Sequence, residues 1–203
     1  MSTPTVRALW PLARAAQAAI AVAAVADIDR VVTLRARLLH PHEASPGTAG
    51  LMPRLIVSVT FLAAVLFLVW FSRCRRNAEL LSLTPLPGSA GWAVIAWLIP
   101  VVNLWVPRQL VLDVHGAPGK PEGRDRTLVN VWWAAWTGHV LVATAVTWLH
   151  KETSLVLLLV AETLELAAGA LAIVVIQRVT ARQAAASRAL FPVPDAAHLP
   201  PLA

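Results

Sequence analysis

Glu162 and Glu165 stand three residues apart inside an apolar run, Ser154 to Ile176. On a helix two acids at that spacing share a face. An acid at a membrane helix centre costs about 2.5 to 3.5 kcal/mol, so a pair is expected to face other protein rather than lipid. The preceding apolar run carries His139 near its middle, and the short turn at His150-Lys151-Glu152 folds the two runs into an antiparallel hairpin. That makes His139 the natural neighbour of the acids. Three chemistries suit this trio. Carboxylates and an imidazole inside a helix bundle handle protons or cations in transporters and channels. The same groups also serve as interhelical hydrogen-bonding glue, at about 0.6 kcal/mol per bond. As ligand types they would suit a metal, although nothing in the sequence places the three together.

A second candidate is the run from Trp92 to Val114, which holds Pro100, Asn103 and Pro107. In a continuous α-helix these three fall on one face, and the prolines deprive the carbonyls of Ala96 and Asn103 of their donors. Backbone opened at membrane depth is tolerated only where protein or water satisfies it again, so the run is expected to be central. Asn103 is expected to satisfy that backbone, with substrate coordination as its other possible use. Elsewhere, His40, His42 and Glu43 lack a second ligand pair and read as a solvated loop. Phosphate-binding glycine loops, nucleophile elbows and His-Glu-x-x-His motifs are absent.

These groups need elements to hold them. The apolar periodicity predicts five membrane segments, at about 9–26, 55–71, 92–112, 129–149 and 154–176. The first reaches spanning length if Arg14 snorkels toward Trp10. Its rival reading is a signal peptide ending at Ala24-Val25-Ala26, and the uncleaved helix is preferred. The continuation from Asp27 to His40 has the pattern of an amphipathic interfacial helix. Arg73, Arg75 and Arg76 close the second segment, with Asn77 just beyond and expected near water. Residues 115–127, rich in Gly, Pro and charge, read as an exposed loop. Trp132, Trp133 and Trp136 at one end of the fourth segment, with Trp148 at the other, are spaced as two interfacial aromatic belts.

Composition sets the frame for all of this. The 203 residues are 58% hydrophobic and 14% charged, outside the range of soluble domains. The net charge of +6 comes from 15 Arg and 2 Lys against 11 acids, and the arginines flank apolar runs, which argues against nucleic acid as a partner. The Ala- and Arg-rich usage fits a GC-rich bacterial genome. Cys74 is the one cysteine, so no internal disulfide forms.

The stretches LVWFSRCRRNAELL, GWAVIAWLIPVVNLWVPRQLVLDV, LVNVWWAAW and QRVTARQ occur in that order. Together they resemble the bacterial domain-of-unknown-function family 4328, over most of the chain from the first helix to Arg182. The resemblance implies a polytopic membrane protein and supplies neither an enzyme assignment nor catalytic residues. Glu162 and Glu165 are not part of the family pattern.

The expectation is an all-α protein: a polytopic helical transmembrane bundle of four to five segments with one Pro-broken helix. Residues 1–182 form the membrane domain and 183–203 a Pro-rich disordered tail. The expected location is the bacterial inner membrane. The expected role is that of a non-enzymatic interaction or scaffolding component, and the alternative is a small transporter or channel subunit using the intramembrane carboxylates. Its partners are the lipid bilayer and a membrane protein or a second copy. No catalytic, cofactor-binding or metal residue is assigned.

Overall fold

The computed structural model describes residues 9–39, 51–119, 123–148 and 154–190. Among them the chain is all-helical. Four long helices, α1 (Trp10–Leu39), α2 (Leu51–Leu81), α5 (Gly123–Trp148) and α6 (Leu155–Leu190), frame two short ones, α3 (Ala90–Ile95) and α4 (Val106–Gly116). The His40–Glu43 loop and residues 191–203 lie outside the described residues.

Side-chain bonds give the helix directions. Gln17 on α1 donates to the Ile173 carbonyl and Arg30 bonds Glu162, so α1 and α6 are antiparallel. Trp70 donates to Thr180, and Gln183 donates to the Cys74 carbonyl, so α2 and α6 are parallel. His139 meets the Ala161 carbonyl while Asp125 meets Arg178 and Arg182, so α5 again runs against α6. Small residues let these helices close in: Ala13, Ala16 and Ala23 on α1, and Ala161, Ala168 and Ala172 on α6, are buried. Gly169 sits against Ile20. The Arg14 guanidinium lies 5.3 Å over the Trp10 ring.

It follows that α2 ends, and α5 begins, at the same end of the bundle. Residues 82–119 leave from that end, and α5 starts again at it with Gly123. Arg75, fully buried on α2, anchors the departing loop by donating to the carbonyls of Pro87 and Gly88. Gly88 has φ of +76°, which a side chain rarely adopts, and an added Cβ would press on Trp92 at 3.0 Å.

Several expectations change. There is no interfacial break at Asp27, because α1 is one helix of 30 residues through it. The helix α2 runs through Arg73 to Arg76 and on to Leu81. Residues 123–127, expected in a loop, form the first turns of α5. Residues 183–190, expected in the tail, belong to α6, which continues to Leu190 through the good helix formers of ARQAAASRAL. The broken run is not a kinked helix with one proline face. It is α3, a turn through Pro100, a single 3-10 turn (Val102–Leu104) and α4. Pro107 sits in the first turn of α4, where no backbone donor is needed. Pro100 is exposed, Asn103 half-buried and Pro107 buried.

Two helices are long and apolar enough to cross a membrane, over Arg54–Leu81 and Leu155–Leu190. A four-to-five-span bundle therefore does not follow from helix length and composition alone.

Candidate functional site

The broken run fills the seam between α2 and α5, which scarcely touch each other. Trp97 is its hub, with ring centroids 5.0 Å from Phe67, 5.7 Å from Phe71, 5.9 Å from Trp133 and 6.2 Å from Trp132. Trp133 Nε1 donates to the Leu104 carbonyl at 3.0 Å, so an indole rather than Asn103 satisfies the opened backbone there. Trp132 and Trp133 are buried in this cluster, which corrects their expected place in an interfacial belt. Trp148, by contrast, is exposed.

Beside the aromatic cluster the four long helices and the broken run line a half-open cavity of about 450 Å³. Phe67, Trp97, Trp132 and Trp136 supply its aromatic wall, and its polar lining is Asp27, Thr60, Asn103, His139 and Glu165. Glu162 lies beside Asp27 and Glu165, bonded to Arg30. Arg30 also approaches Asp27 at 3.4 Å and Glu165 at 3.9 Å. His139 Nδ1 is 2.9 Å from the Ala161 carbonyl. A carbonyl only accepts, so Nδ1 is the donor in this contact. Glu165 is 3.9 Å from that Nδ1. The trio Glu162, Glu165 and His139 is thus brought together, and Asp27 and Arg30 join it. The i,i+3 spacing of Asp27 and Arg30 was a signal in the sequence, masked by the interfacial reading of that stretch.

A second network lies at the end where residues 82–119 attach. Asp125 is buried, and it accepts from Arg178 at 3.0 Å and Arg182 at 3.1 Å. His115 Nε2 stands 3.0 Å from Asp125 Oδ2 in charge contact without an aligned hydrogen bond. Burial pushes the His115 imidazole below its usual value more than Asp125 raises it, and Arg182 and Arg178 add to the depression. For Asp125 burial works upward, but His115 and Arg178 outweigh it and hold the carboxyl below its usual range. Asn77, expected near water, is 2% exposed.

A family model described as "Domain of unknown function (DUF4328)" matches residues 35–181, well over half of the 203 residues. The chain belongs to the DUF4328 family. No curated protein and no solved structure matches it. The DUF4328 match takes in Trp97, Asn103, Asp125, His139, Glu162 and Glu165, while Asp27 and Arg30 on α1 precede it. The cavity therefore has an α1 wall outside the DUF4328 segment. Among the described residues no group of three or more His, Cys, Asp or Glu side chains is placed to hold a metal ion.

Proposed function

We propose that this DUF4328 protein is a multi-pass membrane protein in which α1, α2, α5 and α6 cross the bilayer. Residues 82–119 dip in from one side and return, and the cavity between the helices handles protons or cations, as in a small transporter or channel subunit. No catalytic step is assigned. The observation that carries this reading is the gathering of Asp27, Glu165 and His139 in the wall of a mostly apolar cavity, with Glu162 and Arg30 beside them. Interior glue alone would call for packed, saturated polar contacts. Here Glu165 has only ion contacts at 3.9 Å, and they border open space.

Membrane placement is supported by an inverted distribution of polarity. Gln17, Asp27, Arg75, Asn77, Asp125, Glu162 and Gln183 are buried, while Val25, Val57, Phe61, Leu98 and Val156 are 67%, 68%, 70%, 67% and 71% exposed. Water would penalise such an apolar exterior, and a bilayer would not. The end from which residues 82–119 dip carries Arg73, Arg76, Arg124, Arg178 and Arg188, so it is assigned to the cytoplasm of a bacterial inner membrane.

The full chain reconstituted in vesicles should support a pH- or cation-gradient-driven flux. The double substitution Glu162→Gln, Glu165→Gln should abolish it in a chain that still folds, because an amide keeps hydrogen-bonding capacity and loses titration, while the lost Arg30–Glu162 ion pair lowers the melting midpoint. A flux that survives the double substitution overturns the reading. So does a parent chain without flux, and the expected scaffolding role would then stand in its place.

A further inference from the structure

We infer that the cavity takes a lipophilic monovalent organic cation, its body among the aromatic side chains and its charge at Asp27 and Glu165. The inference rests on the cation-handling reading above and adds the class of ligand. Three observations converge on it.

The first is size and wall chemistry. A cavity of about 450 Å³ falls within the range of small-molecule sites, which are mostly apolar with a few placed polar groups. Bare inorganic ions need no such volume. Its aromatic wall, Phe67, Trp97, Trp132 and Trp136, presents the ring faces and edges against which organic cations are held.

The second is charge. Three carboxyl groups, Asp27, Glu162 and Glu165, gather around one guanidinium, that of Arg30. Arg30 does not line the cavity, whereas Asp27 and Glu165 do. Arg30 bonds Glu162 and stands 3.4 Å from Asp27, which leaves Glu165 as the loosest carboxylate and the one whose surroundings are open. The cavity wall thus offers two carboxyl groups and no lysine or arginine. An anionic ligand would meet two acids there, and a neutral one would leave them unanswered.

The third is hydrogen bonding elsewhere in the wall. Trp97 Nε1 and Asn103 Oδ1 are buried without a hydrogen-bond partner, and both residues line the cavity. Buried groups of this kind are ordinarily satisfied. A donor and an acceptor left open in the wall of one cavity are what a ligand's polar substituent would engage, with the cationic centre held at the carboxylates.

The test uses two ions of matched size and surface and opposite charge. Tetraphenylphosphonium and tetraphenylborate are titrated calorimetrically into the purified full chain in neutral detergent, with benzyltrimethylammonium as a smaller cation. The phosphonium or the ammonium should bind saturably, and the borate should not. Glu165→Gln should weaken the cation on the order of tenfold, the scale expected for losing one nearby charge in a partly screened site. Asp27→Asn should weaken it as well. Because Glu165 makes no hydrogen bond within the fold, its substitution is expected to leave melting unchanged. Binding of the borate as tight as that of the phosphonium, cation binding indifferent to Glu165→Gln, or no binding by either cation overturns the inference. A carboxylate-dependent flux of protons or inorganic cations without organic-cation binding would sink this inference and leave the broader reading intact. Loss of the flux result together with cation binding would do the reverse.

Discussion

Asp125 meets three basic side chains, Arg178, Arg182 and His115, where a turn of charged residues first looked like solvent-exposed loop. Its substitution by Asn should cost about 2 kcal/mol, the scale of charge-assisted hydrogen bonds, reduced because Arg178 remains half exposed. Detergent melting of the Asp125→Asn variant checks this, and an unchanged midpoint would mean that the arginines are fully served by water. His115 gives a pH dependence of definite sign. Burial lowers its folded-state value below that of the unfolded chain, so the unfolded state binds more protons as pH falls below about 6.5. The stability held above that value is then lost on acidification. The parent chain should lose more melting temperature between pH 8 and pH 5.5 than a His115→Gln variant, whereas parallel losses would show that His115 is protonated as readily folded as unfolded.

At the scale of elements, Asn77 and Asn103 exchange the roles that position alone assigns them. Asn77 follows the Arg73–Arg76 cluster and so reads as a water-facing residue. In the structure α2 continues past it, and the residue is buried at 2% exposure. Asn103 lies in the broken run, yet Trp133 serves the Leu104 carbonyl and Asn103 Oδ1 stays unpartnered. Replacing Asn77 by Leu should therefore lower stability by about 1 to 3 kcal/mol, and replacing Asn103 by Leu by distinctly less. Comparing the two melting midpoints decides, and a larger drop for Asn103→Leu would return the backbone-satisfying role to it.

The same elements show what was legible and what was not. Pro100 and Pro107 announced a break, but a period of 3.6 could not say that the chain would leave the helix altogether and use Pro107 to start a new one. Spacing and one short connection made His139 the expected neighbour of Glu162 and Glu165, although the sequence did not bring the three to one point. Asp27 and Arg30 join them from 132 residues away, and only the packing of α1 against α6 could show that. Trp97 meets rings of α2 and α5 mostly edge to face for the same reason, a long-range contact with no local trace.

For the molecule as a whole, everything proposed depends on one topology: four helices crossing, and residues 82–119 entering and leaving at the basic end. Without it the carboxylates have no membrane interior to occupy and the cavity no lipid around it. Single cysteines placed at Ser89, Arg124 and Ser154, in a chain with Cys74→Ala, report the topology directly through an impermeant thiol reagent applied to each side of sealed vesicles. Ser89 and Arg124 flank the entering segment, and Ser154 opens α6 at the far end. The prediction is that Ser89→Cys and Arg124→Cys label from one and the same side and Ser154→Cys from the opposite side. Labelling of Ser89→Cys and Arg124→Cys from opposite sides would mean that the broken segment crosses the membrane, and would contradict the account.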